Sequence, residues 1–320
     1  MKSALDSVFD WALRWSRTGV IGTLTLLFLL HLTIGDINIS TQLVVALFAL
    51  LVGIPHGAID HLISIPSKPR SRFVAYIAIY VAIAILAGWA IATWNINGFC
   101  AVLLMSALHF GFGDASYLNE RRDSKNQTRI SVFLGAIYAI PAGFLPVILP
   151  LTDSRTQSAL ARINPALNGW AGDYGTNLRN LVMAVAVVAV LALLLQKRFE
   201  MVIDLALLFA LSYFAPPLIA FACYFGFWHA LRHTARLVPK LPAANSMAID
   251  GNRNRAISNA VFPGLYAVGA TLLAALVAMI WFPEEFSYSL LWSTLVIVWA
   301  LTVPHMISTA RFDRRALSVK

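Results

Sequence analysis

Long apolar segments follow one another along almost the whole chain, and this feature limits the possible folds more than any other. A helix needs about 20 residues to cross the roughly 30 Å hydrocarbon core of a bilayer. Ten segments approach or reach this length, near residues 19–34, 42–65, 73–94, 98–118, 130–150, 178–196, 201–215, 217–237, 260–282 and 286–306. The sequence therefore predicts an all-α, polytopic transmembrane helix bundle with about ten spans, in a range of 8–10.

The composition points to the same class of protein. Of the 320 residues, 59% are hydrophobic and 12% are charged, whereas a soluble domain has about 45–50% apolar and about 25% charged residues. This excludes a soluble enzyme on one membrane anchor, and also disordered, collagen-like and nucleic-acid-binding proteins. We predict a single integral membrane domain over residues 1–320, with the functional bundle over 42–306 and an additional N-terminal helix over 19–34.

The positive charges alternate between the two ends of the predicted spans. The net charge is +9, and 21 of the 24 lysines and arginines fall on one side of the bundle. Only Arg155, Arg162 and Arg179 fall on the other side. Because lysine and arginine concentrate in cytoplasmic loops, we predict a multi-pass protein of the bacterial inner membrane with both termini in the cytoplasm. The long loop 151–177, on the less basic side, is a candidate re-entrant or lid segment.

Six of the seven histidines lie in short polar islands inside the predicted spans, within residues 53–61, 109–114, 229–233 and 304–305. Ionisable side chains within membrane spans are costly and usually functional. Counting about 1.5 Å per residue along each helix places four of them in one layer of the cytoplasmic half: His56, His109, His229 and His233. Two others lie about one turn or more deeper, His61 and His305, and the solitary His31 lies near the opposite face, where we interpret it as a packing residue.

The spacing within each helix predicts which histidines can act together. His229 and His233 are four residues apart, so they share one helical face and can bind one ion. His56 and His61 are five residues apart and cannot easily do so from a straight helix. The layer of four histidines therefore predicts one metal site whose ligands are His56, His109, His229 and His233.

Charged residues close to these histidines are candidates for a supporting role. Asp60 follows His56 by four residues and is predicted to hold its other ring nitrogen, which is the usual arrangement around a metal. Asp114 is predicted to do the same for His109. Arg232 is interpreted either as the neutralising partner of Asp60 or Asp114, or as a side chain that extends to the cytoplasmic interface. The remaining candidates for this supporting role are His61 and His305.

Neutral imidazoles suit iron, zinc, copper or nickel, so the residues alone do not choose the metal. A site deep in an apolar bundle suits a lipid-soluble substrate and a small apolar gas such as O2. An intramembrane zinc protease would carry an H-E-x-x-H motif, which the sequence lacks. A proton- or ion-coupled transporter stays open as the main alternative, because Asp60, Asp114, His61 and His305 could form a relay.

The four islands, taken in order, resemble the Brp/Blh family of integral-membrane β-carotene 15,15'-dioxygenases. The resemblance covers about residues 45–308 and is carried by Gly53–Asp60, by His109–Gly111 with Asp114, by Ala215–Pro217 leading to Phe227–His233, and by Val303–Met306. It implies a non-haem Fe(II) site whose ligands match His56, His109, His229 and His233.

The same resemblance implies an activity and partners. The expected reaction is cleavage of β-carotene by O2 at its central double bond, which gives two all-trans-retinal molecules. The expected partners are the carotenoid, O2, the lipid bilayer and, functionally, a retinal-binding microbial rhodopsin, while no nucleic acid is expected. A rhodopsin biogenesis factor without cleavage activity, built on the same scaffold, is the second alternative.

Overall fold

The computed structural model describes residues 2–64, 69–153, 155–286 and 289–317, and every regular element in these residues is helical. The helices are α1 Lys2–Ile34, α2 Ile39–Gly57, α3 Asp60–Ser64, α4 Arg70–Thr93, α5 Asn95–Ser124, α6 Val132–Ile148, α7 Arg155–Ile163, α8 Gly175–Leu195, α9 Phe199–Phe214, α10 Pro217–Cys223, α11 Ala230–Leu237, α12 Pro242–Ile249, α13 Arg253–Val261, α14 Leu265–Trp281, α15 Pro283–Phe286 and α16 Leu290–Leu317. A π-helical segment, Tyr224–His229, joins α10 to α11. The prediction of an all-α fold is confirmed.

Within the described residues, seven helical segments are long and apolar enough to cross a membrane. They are Leu5–Ile34, Ile39–Gly57, Arg70–Thr93, Asn95–Ser124, Gly172–Leu195, Arg253–Trp281 and Leu290–Leu317. The other three predicted spans fall on the 17-residue α6, the 16-residue α9 and the interrupted unit α10–α11. The chain is therefore a multi-pass membrane protein, and the number of ten crossings stays a prediction.

The predicted span 42–65 is interrupted in the structure. Helix α2 ends at Gly57, residues 58–59 form a turn, and the short α3 begins at Asp60. Pro55 lies in the last turn of α2, where its ring removes one backbone hydrogen bond and crowds the preceding turn. The break therefore separates His56 from Asp60, which do not belong to one continuous helix.

Several of the helix ends that are predicted on the basic side are joined by ion pairs in the structure. Arg121 at the end of α5 lies 2.8 Å from Asp10 of α1 and 3.2 Å from Glu200 of α9. Arg236 of α11 lies 2.8 Å from Asp313 of α16. The alternation of the loops therefore grouped these helix ends together, while their orientation in the membrane stays a prediction.

Helices α5 and α6 approach each other most closely at two glycines. A methyl group added at Gly111 would lie 1.9 Å from the carbonyl oxygen of Ala139, and one added at Gly143 would lie 1.8 Å from the carbonyl oxygen of Ala107. Small residues at membrane-helix interfaces allow this kind of close backbone contact. The contact matters for function because α5 also carries His109.

We expect Gly143→Ala to destabilise the protein by at least about 2 kcal/mol, because the added methyl group meets backbone atoms that cannot move aside. The midpoint of thermal unfolding in mild detergent measures the effect. Gly269→Ala is the matched control, since a methyl group at Gly269 of α14 has no neighbour within 4 Å. Equal midpoints for the two variants would contradict the importance of this contact.

Candidate metal centre

Five histidines from four parts of the chain come together in the core of the bundle. His56 ends α2, His109 lies in α5, His229 ends the π-helical segment, His233 lies in α11 and His305 lies in α16, and all five are buried. The centre of the His56 ring lies 5.0 Å from that of His229 and 5.1 Å from that of His233, and the rings of His109 and His229 are 5.3 Å apart. Two imidazoles that bind one ion at about 2 Å each have ring centres roughly 5 Å apart.

Each of these rings carries a buried nitrogen that has no hydrogen-bond partner in the described part of the chain. The atoms are His56 Nδ1, His109 Nε2, His229 Nε2, His233 Nε2 and His305 Nε2. Buried polar atoms are normally paired, so five unpaired nitrogens in one cluster need an explanation. Neutral imidazole nitrogen is a ligand for first-row transition metals, and the donor set therefore fits such an ion by its chemistry.

Most of the ring pairs nevertheless pack edge to face, and the rings do not already converge on one point. Among the described residues, no group of three or more His, Cys, Asp or Glu side chains has metal-binding geometry as it stands. Binding an ion would therefore require the rings to rotate.

His305 lies closer to the four predicted ligands than the count of residues along its helix predicted. The count placed it about one turn or more deeper than the four predicted ligands, yet its ring lies 5.1 Å from His109, 5.4 Å from His233 and 5.9 Å from His56. Membrane helices are tilted by different angles, so equal distance along two helices does not mean equal depth. The side chain of His61 lies outside the described residues, and His31 is an exposed residue that contacts Asp36 at 3.0 Å.

The prediction that Asp60 holds the ring of His56 is wrong. Its carboxylate does not contact His56 but lies 2.8 Å from Nδ1 of His305, and the hydroxyl of Tyr80 lies 3.4 Å from the same oxygen. The reason is the break after Gly57, because residues four apart share a face only within one continuous helix.

The prediction that Asp114 holds the ring of His109 is also wrong. The Asp114 carboxylate accepts hydrogen bonds from Tyr138 Oη at 2.5 Å, from Trp228 Nε1 at 3.3 Å and from Arg232 Nη1 at 2.7 Å. It does not contact His109, which lies five residues earlier on a different side of α5. Asp114 therefore supports the segment 228–232, next to His229 and His233, instead of a ligand on its own helix.

Arg232 neutralises Asp114 and not Asp60, and it does not extend to the interface, because its side chain is only 2% exposed. Its Nη1 atom also lies 3.0 Å from Asp204, and its guanidinium group lies 3.7 Å from the centre of the Trp228 ring. Sequence reasoning missed Asp204. The signal that could have found it is a single carboxylate inside the otherwise apolar segment 201–215.

The π-helical segment contains His229 and sets the positions of the aromatic residues that precede it. It turns the Phe225 ring towards the cluster, where it stacks on His229 with 6.1 Å between ring centres. It also leaves Trp228 on the other side, under Arg232. Such segments occur frequently at functional sites, but the sequence pattern did not predict this one.

A large, mostly apolar cavity of about 840 Å³ lies against the histidine cluster. Four of the five histidines line it, namely His56, His109, His229 and His305, and most of its wall comes from α2, α4, α5, α14 and α16. Four residues of the loop 151–177 also line it, namely Leu151, Leu160, Ile163 and Leu167, and a lid or re-entrant role of this loop stays a prediction. The volume lies within the range of about 300–1,000 Å³ that is typical of ligand pockets.

Residues 47–313 match the model of a family described as beta-carotene 15,15'-dioxygenase. The chain belongs to this family. A similar protein from Halobacterium salinarum, described as a probable beta-carotene 15,15'-dioxygenase Blh, is 26% identical over 300 residues, which cover 83% of this chain and 82% of that protein. No solved structure matches the chain. The family predicted from the four islands is therefore confirmed, and the matched range contains all five histidines of the cluster.

Proposed function

We propose that this protein is a β-carotene 15,15'-dioxygenase that uses one Fe(II) ion and O2. The carbon–carbon double bond at the centre of the polyene breaks, and each new end receives one oxygen atom of O2, so that two all-trans-retinal molecules form. The observation that carries the proposal is the cluster of unpaired imidazole nitrogens on the wall of an apolar cavity of about 840 Å³. Membership of the family supports the choice of reaction.

The residues that would hold the iron are His56, His109, His229 and His233. Iron(II), when bound, supplies the ability to bind and activate O2. The protein keeps the four imidazoles neutral and buried, and it excludes water by surrounding them with apolar side chains. Phe110, whose ring centre lies 4.4 Å from that of His229, forms part of this apolar wall.

The substrate would reach the cavity sideways from the lipid phase. Ile85 and Trp89 of α4 line the cavity and are 66% and 57% exposed, and Phe282 after α14 lines it and is 56% exposed. A hydrophobic polyene can therefore pass from the bilayer into the cavity without crossing water. The full proposal includes ten crossings, a bacterial inner membrane, cytoplasmic termini and delivery of retinal to a microbial rhodopsin.

The test is expression of the chain in bacteria that accumulate β-carotene, beside an empty vector, with chromatography of carotene and retinal. We expect retinal to appear at about two molecules per carotene consumed, as central cleavage requires. A well-expressed, folded protein that leaves carotene untouched would refute the proposal. That result would favour the transporter or the biogenesis factor without cleavage activity.

Filling the cavity should impair cleavage without removing the metal. Ala274 of α14 lines the cavity, so Ala274→Trp should lower the rate of carotene cleavage by about tenfold or more through steric exclusion. The iron content of the purified protein should stay at the wild-type level. Leu273→Trp is the matched control, because the neighbouring Leu273 is 62% exposed and does not line the cavity. Unchanged cleavage by Ala274→Trp would place the substrate elsewhere.

A further inference from the structure

We propose that His305 is a fifth histidine ligand of the iron centre and that Asp60 is the residue that orients it. The inference rests on the proposed function, because it concerns the same metal site. It goes beyond the four ligands that the family resemblance implies and gives a role to an acidic residue that has no part in binding iron directly.

The first observation is the place of the His305 ring. It belongs to the cluster, with its centre 5.1 Å from that of His109 and 5.4 Å from that of His233. Its Nε2 atom is buried and has no hydrogen-bond partner, as in the rings of the four proposed ligands. The ring also lines the apolar cavity.

The second observation is the hydrogen bonding on the opposite edge of the ring. Nδ1 of His305 lies 2.8 Å from Oδ2 of Asp60, and both side chains are buried. The hydroxyl of Tyr80 lies 3.4 Å from the same carboxylate oxygen and 3.2 Å from the carbonyl oxygen of Leu301. A carboxylate on one ring nitrogen fixes the tautomer, leaves the other nitrogen free as an acceptor, and makes it a better metal ligand.

This arrangement distinguishes His305 from the other four rings. Within the described residues, none of His56, His109, His229 and His233 has a carboxylate within hydrogen-bond distance of its ring; the nearest hydroxyl to His109 Nδ1 is that of Thr309, at 3.5 Å. A histidine that only packed helices together would gain nothing from a buried, unpaired Nε2, since such an atom costs free energy. A metal ion bound at Nε2 would explain why Nε2 has no hydrogen-bond partner and why Nδ1 is held by a carboxylate.

The Asp60 carboxylate also supplies charge. Four or five neutral imidazoles leave the full positive charge of a divalent ion buried in an apolar environment, which is unfavourable. Asp60 places one negative charge on the far side of His305, where it offsets part of the ion's charge without occupying a ligand position.

The experiment measures metal binding by purified protein in detergent, with Fe(II) affinity determined by chelator competition. We expect His305→Ala to lower the affinity by more than about tenfold and Asp60→Asn to lower it by about tenfold, since partners of ligand histidines have effects of that size. His305→Gln keeps most of the side-chain volume and should behave like His305→Ala. His31→Ala is the matched control, because that histidine is exposed and outside the cluster.

The visible absorption spectrum of the protein loaded with Co(II) gives a second readout that does not depend on activity. We expect the spectrum to change in both His305 variants, to return towards that of the wild type when free imidazole is added to His305→Ala, and to stay unchanged in His31→Ala. A purely structural role of His305 would lower the unfolding temperature but leave the Co(II) spectrum of the folded fraction unchanged.

The two proposals fail in different ways. If the wild type binds Fe(II) and cleaves carotene, while both His305 variants keep the wild-type Co(II) spectrum and an Fe(II) affinity within about twofold, then only the role of His305 is refuted. If the wild type itself binds neither Fe(II) nor Co(II) and forms no retinal, the proposed function is refuted, and the fifth ligand with it.

Discussion

Replacing both His229 and His233 by alanine is expected to abolish retinal formation and to remove iron from the purified protein. The two residues supply two of the five proposed ligands from one short stretch of chain, and their rings lie 5.7 Å apart in the structure. Loss of a residue that only supports a ligand costs about 10–100-fold in affinity or activity, so loss of two ligands should cost more than about 100-fold. Chromatography measures retinal, and elemental analysis measures iron.

The control for this prediction separates loss of metal from loss of fold. The double variant His229→Gln with His233→Gln keeps most of the buried volume, so it should give the same loss of iron and activity with less effect on unfolding temperature. His31→Ala should retain full activity. Retinal formation at the wild-type rate by either double variant would show that these residues do not hold the reactive metal.

Removing the charge of Arg232 is expected to have the largest effect on stability. Arg232→Met removes the cation that now joins the carboxylates of Asp114 and Asp204, which are buried at 4% and 0% side-chain exposure. Asp204 keeps a second cation, Arg17 at 2.8 Å, so Asp114 is the carboxylate left without one. Breaking a buried ion pair from one side typically costs about 3–5 kcal/mol, because one charge stays buried without compensation. Thermal unfolding in mild detergent and the yield of folded protein measure the change.

A compensating variant tests the physical reason for this loss. Arg232→Met combined with Asp114→Asn removes the carboxylate that has lost its cation, while Asp204 keeps its partner Arg17, so it should recover part of the stability lost in Arg232→Met alone. Arg255→Ala, at an exposed position of α13, should be neutral. An unfolding midpoint of Arg232→Met equal to that of the wild type would contradict the importance of the network.

The same network connects α1 to α11, the helix that carries the proposed ligand His233. Ser16 of α1 accepts a hydrogen bond from Arg232 at 3.1 Å, and Arg17 of α1 donates one to Asp204 at 2.8 Å. The region that matches the family begins only at residue 47. The position of α11, and therefore of His233, thus depends partly on a helix outside the matched region.

Much of the fold could be predicted from the sequence, because a bilayer imposes strong local requirements. Each of the ten predicted segments contains helix in the structure, and ion pairs join several of the helix ends that were predicted on the basic side. The four proposed ligands were grouped by counting along the helices, and all four do lie in one buried cluster. Whether they bind iron stays a prediction.

The partners of the supporting residues depended on tertiary structure. Spacing within one helix shows which side chains share a face, and for Asp60 that argument failed because the helix ends at Gly57. Asp114 pairs with Arg232 on another helix instead of with His109, and Arg232 also joins Asp204, which lies 90 residues after Asp114 in the chain. His305 joined the cluster because α16 packs against α2 and α5, which no count along α16 alone can show.

The sequence by itself determined the helical class, the membrane environment, the family and the set of histidines from which a metal site can be built. These properties follow from local composition and from residue types in a fixed order. Only the tertiary structure decided that Asp60 holds His305, that Arg232 joins Asp114 to Asp204, and that a cavity adjoins the cluster. The physical reason is that hydrogen bonds and cavities form between helices, whose relative rotation and tilt are set by packing over the whole bundle.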